Sequence, residues 1–237
     1  KPVNKRYWEH FEFTSQFDGA ERIAKKWGIT RDDTDAFGKR SQDLAAAAWA
    51  DNRFDSQIVS MDAPVGFQDG KPTSETHHVT RDGGLRETTL ETLGGLRTNM
   101  RDGVHSAGTS SQITDGAAAV LMMSRGRADA LGLEVKATIV DTCLVGSDPV
   151  LMLTGPIPAT QKLLANNKLS ISDIDVTEIN EAFASVVLAW AKELEADMAT
   201  VNPNGGAIAL GHPLGGTGAV LLTKAIHELI RADKEHA

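Results

Sequence analysis

The sequence predicts a layered α/β fold, present in part, together with a helical, loop-rich insertion domain. Three observations lead there. Asp18 to Phe54 is patterned as helix throughout. From about Val104 onward, short apolar runs rich in β-formers alternate with helical patterns, as buried strands in a layered sheet do. The chain has 237 residues, 41% of them hydrophobic and 24% charged, enough to bury a sizeable core as one or two domains.

The elements follow in order. DGAERIAKKWG (18–28) reads as a helix stopped by Gly28, and Thr30 with Asp33 three residues on opens a second helix as a variant capping box. QIVSM (57–61) reads as a short strand and TTLETLGGL (88–96) as a short helix, set among Gly-, Pro-, Asp- and Thr-rich connections. Beyond Val104, DGAAAVLMMS, VKATIVDTCLVG and IDVTEIN read as strands. RGRADALGL, PATQKLLANN, EAFASVVLAWAKEL and GAVLLTKAIHELIR read as helices. There is no internal repeat and no low-complexity segment.

Charge and cysteine content narrow the function. A formal charge of -8 and a pI near 5.4 give no electrostatic footprint for nucleic acid. No apolar stretch approaches the roughly 18 to 20 residues of a membrane span, and the opening KPVNKRYWEHFEF lacks the apolar core of a signal peptide. The expectation is a soluble, cytoplasmic protein without membrane or nucleic-acid partners. The one cysteine, Cys143, can form no disulfide within the chain and no cysteine-rich zinc site, and no metal site is expected.

The chemistry concentrates in VNPNGGAIALGHPLGGTGA (201–219), which places His212 among six glycines and two prolines. The stretch leads into a strong helix, and glycine lets backbone approach a ligand closely while N–H groups at a helix start favour developing negative charge. An imidazole held there by the fixed φ of Pro213 suits polarising a carbonyl or taking a proton at neutral pH. The bland alternative is a tight packing loop with an incidental histidine. Neither a phosphate-binding loop nor a dinucleotide motif is present. A second cluster, VTEINEAFA (176–184), sets Asn180 and Glu181 at a strand-to-helix junction, where Asn180 reads either as a functional side chain or as a helix N-cap with Glu181 in the first turn.

Taken together, NEAF and GGAIALGHPLGGTGA resemble two of the four active-site blocks of the thiolases, enzymes that cleave or form 3-ketoacyl-coenzyme A thioesters. SAGTSSQITDGAAAVLMM (106–123) is similar to that family's segment near the pantetheine arm of coenzyme A, and residues 20–59 resemble the helical start of its loop domain. The likeness runs from about Thr14 onward.

The resemblance implies a layered α/β/α/β/α fold. It places a coenzyme A-binding loop domain at 1–103, the closing segment of an N-terminal domain at 104–132 and an incomplete C-terminal domain at 133–237. It implies that His212 activates a nucleophilic cysteine and joins an oxyanion hole in which Asn180 holds a water. Ser111 would contact pantetheine and Phe183 would line the catalytic cavity, while Glu181 would be structural. The substrates would be acyl-coenzyme A and coenzyme A, with no further cofactor, in a homodimer or homotetramer acting in lipid metabolism.

Departures from the family pattern accompany the matches. The family's chemistry needs a nucleophilic cysteine that carries the acyl group and a second cysteine that shuttles a proton, and this chain supplies neither. Cys143, in KATIVDTCLVG, reads as a packed thiol inside a buried strand, raised in pKa and inert. The expectation is a fragment lacking the first catalytic domain and the last strand pair, inactive alone. A non-catalytic thiolase-like subunit that binds acyl-coenzyme A is the alternative. TSQF stands near Thr14 in place of the YHMG-like signature of some short-chain enzymes, which leans away from a dedicated acetoacetyl specificity.

Overall fold

A computed structural model of the protein describes residues 4–237. The helical first part forms as its caps dictate. After a single turn, α1 (Tyr7–His10), come α2 (Gln16–Trp27) and α3 (Arg31–Ala50). Each of the two long helices opens on a reciprocal capping box, Ser15 with Asp18 and Thr30 with Asp33, which satisfies amide groups that the first turn leaves unpaired. Gly28 ends α2 at φ 61°, the left-handed conformation that glycine adopts without a Cβ penalty.

The chain continues as two nested antiparallel pairs. Outer strands β1 (Met61–Pro64) and β4 (Thr76–Val79) pair Met61 with Val79, and inner strands β2 (Phe67–Gln68) and β3 (Lys71–Pro72) close the tip. The tip residues Asp69 and Gly70 have φ of 52° and 73°, the paired positive values of the turn that matches strand twist. The expected strand at 57–61 shares only Met61 with β1. The backbone amides of Gln57 and Ile58 turn back onto the Phe54 carbonyl and hold the chain off the ladder. α4 (Leu90–Gly94) follows as expected from TTLETLGGL.

Five helices complete the chain: α5 (Arg125–Leu131), α6 (Pro156–Asn167), α7 (Ala184–Leu194), α8 (Ala207–Leu210) and α9 (Thr217–Ala232). α7 is the centre of the core. It buries Ala184, Val187, Trp190 and Ala191 against Phe37 of α3, Ile157 of α6, Ile179, Val201 and Ile208. On its other side α2 contributes Ala20, Ile23 and Ala24. Burying a Val-, Ile- or Phe-sized side chain contributes about 1.5–3 kcal/mol each. This layer of α2, α3 and α7 is what holds the connecting loops in place.

The strands expected after Val104 do not pair into a sheet. Among the described residues, this part carries only isolated bridges, Thr98 with Ser106, Ser110 with Phe183 and Thr177 with Val201. Residues 111–124 and 133–148 run without a ladder, leaving Ile113, Leu121, Val140 and Leu144 exposed. Their alternation and β-branched content suit strands, but strand order requires neighbours whose N–H and C=O groups answer them, and beyond the bonds of Ser111 and Gln112 no described segment supplies a ladder. The buried-strand reading of Cys143 is corrected with them. Its thiol is half-buried and lies 3.5 Å from the Ala159 carbonyl oxygen of α6.

Candidate functional site

The site is assembled from three loops around one buried carboxylate. Glu181 is fully buried. Its Oε2 accepts from Ser41 Oγ of α3 at 2.6 Å and from the Ile208 amide of α8 at 3.1 Å, while its Oε1 accepts from Asn202 Nδ2 at 3.0 Å. A buried carboxylate without such donors would cost several kcal/mol of desolvation. The NEAF loop, α3 and the glycine stretch are therefore tied at one point. Gly206 is the counterpart of this arrangement: a Cβ there would lie 2.2 Å from the Glu181 carboxyl carbon.

Neither Asn180 nor Glu181 caps a helix. α7 begins three residues later than EAFASVVLAW suggests, with Phe183 at its N-cap position in extended conformation and no side-chain cap. The N-cap alternative for Asn180 falls on that geometry. Residues 177–179 instead run extended beside 200–202. Thr177 donates to the Thr200 carbonyl at 2.9 Å and accepts from the Asn202 amide at 2.8 Å, and the Ile179 amide donates to Asn202 Oδ1 at 2.8 Å. The carboxamide oxygen of Asn180 is buried and has no hydrogen-bond partner among the described residues.

His212 sits where the glycine stretch turns into α9. Its Nδ1 lies 2.6 Å from the hydroxyl of Thr217, and that hydroxyl donates to the Pro213 carbonyl at 3.2 Å. With its one proton committed there, the hydroxyl accepts from the imidazole. Nδ1 then carries the hydrogen, and Nε2 presents a free lone pair. Partial burial lowers the histidine pKa from its ordinary value, so the ring is neutral at pH 7. Gly211, at φ 94°, lets the chain pass Thr114, which a Cβ would meet at 2.5 Å.

Residues 110–112 lie between the two loops. The Ser111 amide donates to the Ala182 carbonyl at 3.1 Å, fixing the serine beside NEAF. Gln112, which the sequence reading passed over, is the bond to the histidine loop. Its carbonyl accepts from the His212 amide at 3.0 Å, and its Nε2 donates to Gly84 and Ile208 carbonyls at 2.7 and 2.8 Å. Its position next to Ser111 in SSQITDG was the available signal. Beyond His212, an open groove of about 410 Å³ runs between Thr114–Ala118 and Pro213–Gly216.

Ser111, Asn180 and His212 thus share one hydrogen-bonded framework. Phe183 behaves differently: it is buried between Phe17 and His105, each ring centroid at 5.5 Å, and does not line that groove. His105 is a further buried group that sequence reasoning missed. Its Nδ1 is 3.0 Å from Glu21 Oε1, and its Nε2 accepts from the Ser185 amide at 3.4 Å. Burial works against the Glu21 carboxylate, but the His105 ring and two backbone amides outweigh it and hold its pKa below the usual value. Among the described residues, no cluster of His, Cys, Asp and Glu has the arrangement of a metal site, and no helix is long and apolar enough to cross a membrane.

Comparison with known proteins places this framework. The family model for the thiolase N-terminal domain matches residues 10–126, and that for the thiolase C-terminal domain matches 133–237. A steroid 3-ketoacyl-CoA thiolase of Mycobacterium tuberculosis is 45% identical over 97% of this chain and 55% of its own length. A 3-ketoacyl-CoA thiolase of Bacillus subtilis is 43% identical over 91% of this chain and 56% of its own. Among solved structures, the acetyl-CoA acetyltransferase of Bacillus anthracis superposes with a TM-score of 0.88 at 36% identity, over 99% of this chain and 59% of that one. Human mitochondrial 3-ketoacyl-CoA thiolase gives 0.82 at 33%, over 92% and 53%. The chain spans a little over half the length of the relatives it matches, and with both domain models and a shared α/β fold it belongs to the thiolase family.

Proposed function

We propose that the full-length gene product is a thiolase, cleaving a 3-ketoacyl-coenzyme A with coenzyme A to an acyl-coenzyme A and acetyl-coenzyme A, or running the reverse condensation. The observation that carries this is His212. Its Nδ1 is committed to Thr217, its Nε2 is free, and burial keeps the ring neutral, which is the state needed to take a thiol proton and then donate to a thioester oxygen. The unpartnered carboxamide of Asn180 supports its assignment as the group that holds an ordered water in the same oxyanion hole. The groove beside Pro213, bordered by the segment that follows Ser111, supports an extended pantetheine arm passing there.

The reaction breaks the C2–C3 bond of the ketoacyl chain. A cysteine thiolate takes the acyl carbon, the departing carbon of acetyl-coenzyme A takes a proton, and the thiol of incoming coenzyme A then accepts the acyl group. The one cysteine of this chain, Cys143, bonds the Ala159 carbonyl of α6, while His212 bonds Thr217, so we do not assign it as that thiolate. We assign the carrier to the whole enzyme, which we place in the cytoplasm as a homodimer or homotetramer of lipid metabolism. The test is thiolysis of a 3-ketoacyl-coenzyme A by the full-length gene product and its His212→Ala variant. Turnover in the first and its loss in the second, with coenzyme A affinity little changed, is expected. Equal turnover in both would sink the assignment.

A further inference from the structure

The buried side of α9 is polar. Of its sixteen residues only Thr217, Lys224 and Glu228 are buried, and their spacing of seven and four puts all three on one helical face. A helix packed onto a core ordinarily buries aliphatic side chains there. Each of the three instead bonds a different part of the glycine stretch. Thr217 holds His212 and Pro213, Lys224 donates to the Gly205 carbonyl, and Glu228 accepts from Asn204 Nδ2 at 2.8 Å.

Lys224 alone also reaches the second loop. Its ammonium, almost wholly buried, lies 2.7 Å from Glu178 Oε2. Glu178 lies on the extended run 177–179, two residues before Asn180. The other oxygen of Glu178 is buried and unpartnered, which leaves Lys224 as the carboxylate's one partner among the described residues. Asp82 is a second acid facing this ammonium, while Glu181 and Glu228 lie near Glu178 and oppose its charge.

We propose that Lys224 is a positioning residue for the proposed thiolase reaction: one buried ammonium sets the spacing between the loop carrying His212 and the segment carrying Asn180. This rests on the assignment of those two residues to the oxyanion hole. A buried charge pair is weak as a source of stability and often replaceable by apolar groups, so its place here is accounted for by what it specifies. Gly205, at φ 74°, is pressed against α3, where a Cβ would meet Ala45 and the Ser41 carbonyl at 2.7 Å, and the Lys224 bond holds it from the other side. A displacement of about 1 Å at reacting groups can cost roughly 10²-fold in rate.

The experiment uses the full-length gene product with Lys224→Met and the double variant Glu178→Gln/Lys224→Met, which removes both buried charges. The double variant is expected to unfold near the wild-type temperature. Its kcat should be at least ~10-fold lower with KM for coenzyme A within about twofold. Amides of 205–212 should exchange faster in it. A double variant that folds and keeps wild-type kcat, or that raises KM alone, overturns the proposal. So does one that unfolds, since the pair would then support the fold at large. If the wild-type protein cleaves no 3-ketoacyl-coenzyme A, the function reading fails on its own, and unchanged exchange at 205–212 would still refute the positional claim.

Discussion

Gly206→Ala tests how tightly the site is closed around Glu181. The new methyl would lie 2.2 to 2.6 Å from the carboxylate atoms, far inside contact distance. A carboxylate at the end of a free side chain would swing away at little cost. This one is held by Ser41, Asn202 and the Ile208 amide. Moving it breaks at least two bonds to a charged acceptor, each contributing about 1.5–3 kcal/mol, so the substitution should destabilise by about 3–6 kcal/mol. For a protein of this size, that lowers the unfolding midpoint by roughly 6–24 °C, at about 2–4 °C per kcal/mol. The assay is a double-mutant cycle followed by circular dichroism on heating. Glu181→Ala alone should be costly because it strands three buried donors, yet in that background Gly206→Ala should add less than about 1 kcal/mol, since nothing remains to collide with. Additive losses, or Gly206→Ala alone within about 0.5 kcal/mol of wild type, would refute the reasoning.

Three further outcomes follow from the same geometry. Asn180→Ala should lower turnover by roughly 10- to 10³-fold, the range of single oxyanion donors, while the melting temperature barely moves, because its carboxamide oxygen bonds nothing in the protein; kinetics should be read beside thermal unfolding. The acid limb of the rate profile should fall below the ordinary histidine value of 6.5, since burial depresses the His212 pKa. The unfolded chain binds that proton more readily, so the His212 contribution to stability is also lost as pH drops below 6.5, and a limb above it would contradict the assignment. Finally, the 237-residue chain alone should show no thiolysis, no acyl adduct at Cys143 by intact mass, and self-association by light scattering through exposed Ile113, Leu121, Val140 and Leu144. A monodisperse monomer, or an acylated Cys143, would overturn those expectations.

Local chemistry was the most legible part of the sequence. The Thr30–Asp33 box, Gly28 and the long apolar helices are written in neighbouring residues, and the structure forms them within a few positions. The runs around Ile113 and Val140 carry strand chemistry, but whether a strand is paired depends on distant segments that no local pattern reveals. NEAF and the histidine loop stood out as motifs, yet their joint at Glu181 needs Ser41, Asn202 and Ile208, which no spacing rule connects. Lys224 was invisible for a related reason. A lysine on an amphipathic helix reads as a solvated face, and only folding shows that this one turns inward to Glu178.

The separation of those partners along the chain has a consequence during synthesis. Ser41 leaves the ribosome 140 residues before Glu181 and still earlier than Ile208. At about 5–20 residues per second, α3 waits on the order of 10 to 30 s before the carboxylate that its serine will hold has been made. Its buried face, with Phe37, Ala45 and Ala48, stays uncovered through that interval. Translation speed and chaperone occupancy over the second half of the message should therefore govern the yield of folded protein more than the intrinsic helicity of α2 and α3, whose own caps let them form as soon as they emerge.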